Sequence, residues 1–170
     1  MLKIDNYHNL TAEEKQQQQE YINEVFGDVQ FIQQRQWSRP DFVFAFRQND
    51  DLFSFFNLII RDVIFDNKRI KIAGVSNAVT PKNHRGKGYA SQLLTQAYPV
   101  IFNQLKVQHA LLLCSDDLTD FYQHLGWYKV DSNVQFEQGN GIEHYQSNTL
   151  LLSPNDPINP KNINLNGLPW

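Results

Sequence analysis

Residues 70–97 read IKIAGVSNAVTPKNHRGKGYASQLLTQA. The run opens with β-branched and small apolar residues, the pattern of a strand. Pro81 stops that strand, because proline has no N–H for a sheet ladder and fixes its own φ. His84-Arg85-Gly86-Lys87-Gly88 follows as a glycine-bearing turn that carries cations. From Tyr89 to Ala97 the apolar residues Ala90, Leu93, Leu94 and Ala97 recur at helical spacing. Strand, glycine turn and helix together make an anion site. The first N–H groups of a helix have no internal partner, and its dipole favours negative charge there. The two glycines permit backbone angles that a β-carbon forbids and let a ligand approach.

The spacing excludes two common phosphate loops. A P-loop needs an upstream glycine and a Ser or Thr after its Lys; here Pro and Asn fill the upstream region and Gly88 follows Lys87. A dinucleotide fingerprint needs a third glycine where Ser91 stands.

Length and composition narrow the class. A chain of 170 residues favours one domain of ordinary size, large enough to bury a core. Hydrophobic residues make up 41% and charged residues 19%, the balance of a soluble globular protein. Aromatics at 13%, twelve of them Phe, predict a ring-rich core or cleft. A net charge of −3 argues against a nucleic-acid partner, and no aromatic platform alternates with the Lys82, His84, Arg85 and Lys87 cluster. The single cysteine, Cys114, excludes an internal disulfide, fits a reducing, cytoplasmic compartment and reads as a buried small apolar residue. No apolar run approaches the roughly 20 residues of a membrane helix, and the N-terminus lacks a signal-peptide core.

Leu2 to Tyr7 reads as a short strand. Thr11-Ala-Glu-Glu14 is a capping box that starts a helix running to Phe26, with Tyr21, Ile22, Val25 and Phe26 inward and Gly27 at its end. Strands are expected at Asp41–Phe46, Leu52–Arg61 and Ile70–Thr80, joined by turns at Asn49-Asp50-Asp51 and Asp66-Asn67-Lys68. Val107 to Cys114 is a fully apolar run, a buried strand parallel to its predecessor through the helical crossover. Ser115 or Asp116 caps a short helix with Leu118, Phe121, Tyr122 and Leu125 on one face, ended by Gly126. Trp127–Val130 and Asn148–Leu152 complete seven strands. Residues 1–152 are thus expected to form one domain, and 153–170, with four prolines, an irregular tail packed on or near it.

The turn Asn83-His84-Arg85-Gly86-Lys87-Gly88 resembles the acyl-CoA pyrophosphate loop of the GCN5-related N-acetyltransferases (GNAT), Gln/Arg-x-x-Gly-x-Gly/Ala, with Asn83 at its first position. Phe121-Tyr122 followed by Leu125-Gly126-Trp127 resembles the family's second signature, Phe-Tyr-x-x-x-Gly-Phe. The two stand in the family's order, with loop, helix, strand and short helix between them. The resemblance covers Asp41 to Leu152. It implies an α+β fold with a mixed, mostly antiparallel seven-stranded sheet flanked by helices, whose central parallel strands splay to admit acetyl-CoA. It implies pantetheine bound at the strand edge by Ala78, Val79 and Thr80, with a bulge near Asn77 or Ala78. The pyrophosphate would be held by Asn83, His84, Arg85, Gly86, Lys87, Gly88, Tyr89 and Ala90.

The resemblance also makes Tyr122 the general acid, and the chemistry agrees. A thiol titrates near ~8.5 and a tyrosine near ~10, so tyrosine arrives protonated at neutral pH and can protonate the leaving thiolate. The product of such chemistry is an acetylated primary amine of a small molecule. No metal is called for. Weaker likeness to the aminoglycoside 2′-N-acetyltransferase branch comes from Trp37, Asn77-Ala78-Val79, Cys114-Ser115-Asp116 and Trp170; Ser76 stands where that branch has Glu. Asp28, Trp37, Ser76 and Trp170 are the acceptor-site candidates, and Glu143 and His144 the alternative bases. A non-catalytic acyl-CoA-binding regulator is the competing class, and the oligomeric state, homodimer included, stays open.

Overall fold

The computed structural model describes residues 1–49 and 51–170, so the turn expected at Asn49-Asp50-Asp51 includes a residue, Asp50, outside the described ones. The strands are β1 (Leu2–Asn6), β2 (Phe42–Gln48), β3 (Asp51–Phe65), β4 (Lys68–Val79), β5 (His109–Cys114), β6 (Tyr128–Val130), β7 (Asn133–Gln138), β8 (Gly141–His144), β9 (Asn148–Leu152) and β10 (Asn162–Asn164). The helices are α1 (Ala12–Phe26), α2 (Gln30–Gln33), α3 (Tyr89–Pro99) and α4 (Thr119–Gln123).

All ten described strands join one sheet in the order β6-β9-β5-β4-β3-β10-β7-β8, with β1 and β2 extending from β3. The β2, β3 and β4 pairings are antiparallel, and β4 pairs with β5 in parallel through the α3 crossover. The seven expected strands are present, and β7, β8 and β10 are additional. Segment 153–170 is therefore not wholly irregular. Its Asn162–Asn164 pairs with β3 on one side and β7 on the other. The backbone N–H groups of Lys161 and Asn162 donate to the Asp66 carboxylate in the β3–β4 turn, which fastens the strand there. Ile163 is fully buried.

Helices α3 and α4 cover one face of the sheet. Leu93, Leu94, Ala97, Tyr122 and Trp127 pack there on Phe44, Phe56, Leu58, Val75 and Leu112. Phe44 and Phe56 face each other across β2 and β3 with stacked rings 4.9 Å apart, a pair contributing about 0.5–1.5 kcal/mol beyond its burial. The other face carries α1 against Val43, Leu52, Phe55 and Val79, and the C-terminal segment against Ile59, Ile72 and Leu111. With both faces covered, β3 and β5 read as continuous apolar runs rather than alternating ones.

The α1 capping box forms as expected, Thr11 Oγ1 accepting from the Glu14 N–H while Glu14 accepts from the Thr11 N–H. Val25, expected inward, is 36% exposed, and Gln18 takes the buried position on that helix. Neither Ser115 nor Asp116 caps α4. A 3₁₀ turn over Asp116–Leu118 precedes the helix, and Asp116 Oδ1 accepts instead from Asn148 Nδ2 at 2.6 Å. Among the described residues no helix is long and apolar enough to cross a membrane.

Candidate active site

The site begins where β4 and β5 part. Their parallel ladder ends at Val75 paired with Leu112, so Ser76 to Val79 run on without a β5 partner. On its other edge β4 pairs with β3, Ser76 opposite Asn57 and Val79 opposite Phe55, which leaves Asn77 and Ala78 against a single residue, Phe56. That is a β-bulge where the resemblance implied one, and Asn77 takes φ +49°, a conformation asparagine tolerates. The extra residue turns backbone polar groups of Asn77 and Ala78 away from the β3 ladder. Beyond the bulge, the Val79 carbonyl accepts from Ser54 Oγ, which also bonds Thr80 Oγ1 at 3.0 Å.

Pro81 leads into a 3₁₀ turn at Lys82–His84 and then the glycine turn. Gly86 and Gly88 have φ of +73° and +75°, and a β-carbon on Gly86 would meet nothing within 4 Å. The turn is therefore an open hollow lined by backbone. Gly88 caps α3 without any side-chain acceptor, so the first-turn N–H groups at Tyr89 and Ala90 face that hollow unpaired by a cap. Arg85 donates to the Thr80 carbonyl and Lys87 to the Asn83 carbonyl, and among the described residues neither pairs with a carboxylate. Lys82 does, with Glu24 at 2.7 Å. His84 differs from its exposed neighbours. Its ring is buried against Phe53 and Tyr89, and Nε2 lies 3.0 Å from Asp51 Oδ1. Its ring thereby ties the turn to β3 and to the start of α3.

Tyr122 sits beside the end of β5. It is 7% exposed, its ring edge-on to Phe121 and Trp127, and its hydroxyl makes no hydrogen bond among the described residues. Burial pushes its phenol well above the usual tyrosine value, with the nearby Cys114 thiol adding to the effect. The same burial raises Cys114 itself. The surrounding turn is tied down: Tyr98 donates to the Leu125 carbonyl at 2.6 Å, and Trp127 Nε1 donates to the Tyr98 oxygen. Gly126 supplies the φ of +87° that lets the chain reverse into Trp127.

On the opposite face, the acceptor-site candidates scatter. Asp28 is exposed in the α1–α2 connection. Trp37 is half-buried, its indole donating to the Ile32 carbonyl and its ring edge-on to Phe31. Glu143 is committed to Arg35, whose Nη2 lies 2.8 Å from its carboxylate, and His144 to Asn133. Neither alternative base is free. Ser76 and Trp170 do converge. The Trp170 indole rests on Gly74, two residues before Ser76 and on the same face. Arg61 holds that terminal segment, donating to the Leu165 and Leu168 carbonyls and to Ser38, with its guanidinium 5.5 Å from the Trp170 ring.

Two residues at the site escape a reading of the sequence. Tyr145 packs on Phe31 and directs its hydroxyl to the Cys114 carbonyl, at the end of β5; burial pushes it up to about 12. Asn57 lies opposite Ser76 and is 2% exposed. The signal for Asn57 was present, a lone amide inside the apolar run Phe55-Phe56-Asn57-Leu58-Ile59-Ile60.

Comparisons with known proteins agree with this geometry. The sequence model of the acetyltransferase (GNAT) domain matches residues 6–130. No curated protein sequence matches the chain. Among solved structures, Escherichia coli ElaA superposes with a TM-score of 0.64 at 14% identity, covering 90% of this chain and 99% of its own. An acyl-CoA N-acyltransferase from Pseudomonas aeruginosa gives 0.61 at 15%, covering 90% and 99%. A GNAT family acetyltransferase from Brucella melitensis, solved in complex with acetyl-CoA, gives 0.60 at 7%, covering 96% and 94%.

Proposed function

Because this chain belongs to the GNAT acetyltransferase family, we propose that it moves an acetyl group from acetyl-CoA to a primary amine of a small molecule by direct attack. The observation that carries the reading is the conjunction of three features in one structure. The open glycine hollow at the start of α3, the parting of β4 from β5 and the buried Tyr122 follow one another from β4 to α4. The residues present fit the co-substrate. Gly86 to Ala90, with Arg85 and Lys87, suit a diphosphate; the bulged edge at Asn77, Ala78 and Val79 suits a pantetheine amide; the gap suits a thioester.

Acetyl-CoA, when bound, supplies an activated acyl carbon and a thiol leaving group. Tyr122 then holds a proton at its phenolic oxygen, retained at neutral pH because burial disfavours the phenolate. The desolvation that strengthens Tyr122's hold on its proton also raises a thiolate formed beside it, as it does the neighbouring Cys114. Transfer of that proton to the expelled thiolate completes the exchange. The α4 turn, locked through Tyr98 and Trp127, fixes the phenol's direction. A single buried, unpaired cysteine supports a reducing, cytoplasmic setting.

A non-catalytic acyl-CoA binder is the second reading, favoured by Ser76 in a place suited to a carboxylate and by Glu143 being tied to Arg35. That ion pair also weighs against a polycationic aminoglycoside, since it neutralises Glu143 with Arg35, whose guanidinium lies over the Phe31 ring. Release of free thiol from acetyl-CoA, measured with amino acids, amino alcohols, polyamines, small aromatic amines and aminoglycosides, separates these. Acceptor-dependent release supports the enzyme. Acetyl-CoA binding without release for any amine supports the binder, and neither binding nor release defeats both.

A further inference from the structure

The sheet face that α3 packs on is not covered along its whole length. Helix α3 stops at Pro99, and the π-helical turn that extends it, Val100–Gln104, gives way at Leu105. There the end of β1, the starts of β2 and β4 and the middle of β3 border an open cleft of about 530 Å³. Small-molecule sites span about 300–1,000 Å³. Its apolar lining includes Phe42, Ile60 and Leu105, each partly exposed at the margin of the core under α3. The cleft is remote from the glycine turn. Lys71, in its wall, stands six residues before the bulge at Asn77, about 20 Å along an extended strand.

Two cations border this apolar surface, Arg39 and Lys71, and both are exposed. Lys71 is held in place. Gln108 clamps its backbone, the Gln108 side chain accepting from the Lys71 N–H and the Gln108 N–H donating to the Lys71 carbonyl. The Lys71 ammonium donates to the Leu105 carbonyl at 3.2 Å, which takes one of its three N–H donors. Arg39 pairs with no carboxylate among the described residues. The acids nearby are engaged. Asp41, in the lining, accepts the Ile60 N–H at 2.7 Å and lies within the field of Arg61. Asp62, opposite Lys71 across the β3–β4 ladder, pairs with Arg69 at 3.8 Å. Positive charge beside an apolar surface calls for a ligand of the opposite charge with an apolar body. The backbone narrows the head group. The N–H groups of Ile60 and Lys71 are both taken by side chains, so no amide cradle for a phosphate exists there. A guanidinium fork matches the two oxygens of a carboxylate.

We propose that this cleft is a second ligand site, taking a small monocarboxylate with an apolar chain or ring. The apolar body covers Phe42, Ile60 and Leu105, and the carboxylate meets Arg39 and Lys71 at the rim. The site needs no acetyl-CoA and does not overlap the glycine turn.

The test uses hexanoate, hexanamide and hexylamine, which share a body of one length and differ in head-group charge. Each is titrated into the native protein, Arg39→Gln and Lys71→Met, and backbone amide shifts are followed by NMR with and without excess acetyl-CoA. Hexanoate should shift the amides of Phe42, Ile60, Lys71 and Leu105 and bind roughly fivefold or more tightly than hexanamide. Its affinity should hold when acetyl-CoA is present, and hexylamine should not compete with it. Each substitution should weaken hexanoate by roughly two- to fivefold, the worth of one exposed charge pair, and leave hexanamide nearly unchanged. Equal affinity for hexanoate and hexanamide overturns the proposal. So do shifts confined to the glycine turn, displacement of hexanoate by acetyl-CoA, or no saturable shift at all. The native protein's ranking of the three probes decides the matter even where a variant fails to fold.

Discussion

The Trp170 indole rests directly on Gly74, so closely that a β-carbon at position 74 would lie 2.3 Å from Cε2. No real contact is that short, and Arg61, which ties down the terminal segment and lies 5.5 Å from the ring, limits its retreat. Gly74→Ala should therefore destabilise the protein by about 1–3 kcal/mol, the range for overpacking a filled core. In a Trp170→Ala background, where the ring is gone, the same substitution should cost much less. Denaturant unfolding of the four proteins in this cycle checks the coupling; additive effects would mean the indole does not occupy that place.

Gly86 presents the opposite case. A β-carbon there meets nothing within 4 Å, and only its φ of +73° penalises a side chain. Gly86→Val should cost about 1–2 kcal/mol of stability through that backbone angle. It should weaken acetyl-CoA binding far more, because the side chain enters the hollow assigned to the diphosphate. Calorimetric titration with acetyl-CoA decides this. An affinity unchanged from the native protein would remove the loop from the binding site.

Asp66 closes the β3–β4 turn and accepts from the Asn162 and Lys161 N–H groups, which hold its carboxylate below the usual value. A depressed value means stability that is full above the ordinary carboxylate pKa of 3.8 and lost as pH falls through the lower folded value. Docking of β10 should accordingly survive to about pH 4 and loosen below it. Asp66→Asn, which keeps a residue tolerant of the φ of +45°, should expose the amides of Asn162 to Asn164 to faster hydrogen exchange at neutral pH. Unaltered exchange would show that Ile163 burial alone secures the strand.

The parts of this structure legible in the sequence are those with local punctuation. Pro81, the two glycines and the helical spacing of Leu93, Leu94 and Ala97 placed the β4–α3 turn, and Thr11 with Glu14 placed the start of α1. The strands β7, β8 and β10 lacked such marks. β10 has a single apolar residue, Ile163, between two asparagines, and its pairing depends on Asp66, about a hundred residues earlier. β8 is short and its Ile142 is 54% exposed, so no apolar alternation announces it. The same distance hid the convergence of Trp170 on Gly74 and Ser76. Motif reading named His84 as a cofactor-loop residue but gave no sign that its partners Asp51 and Phe53, from β3, turn the ring inward.

Tyr145 and Tyr122 both ionise less readily folded than unfolded. For Tyr145 the value rises from 10.0 to about 12, chiefly by burial. A raised value means stability that is complete below pH 10 and declines as pH climbs towards the folded value, since the unfolded chain releases its proton first. Each such tyrosine contributes at most about 1.4 kcal/mol of loss per pH unit across that window. The denaturation midpoint should fall between pH 10 and 12, and Tyr145→Phe should flatten the fall. A midpoint with the same pH dependence in the variant would mean that the ring is open to solvent.

Tyr122→Phe gives the sharpest test of the chemistry. The hydroxyl makes no hydrogen bond among the described residues, so its removal should leave stability at neutral pH intact or slightly improved. The ring keeps its packing against Phe121 and Trp127, and the glycine turn lies elsewhere, so acetyl-CoA affinity should be unchanged. Turnover should fall by about 10²–10⁴-fold, the span of general acid catalysis. Because burial holds the phenol above its usual value, native kcat should show no alkaline decline from this group below pH 10. A variant that binds acetyl-CoA, folds and turns over at the native rate would exclude Tyr122 as the proton donor and direct attention to Tyr145, whose hydroxyl also reaches the end of β5.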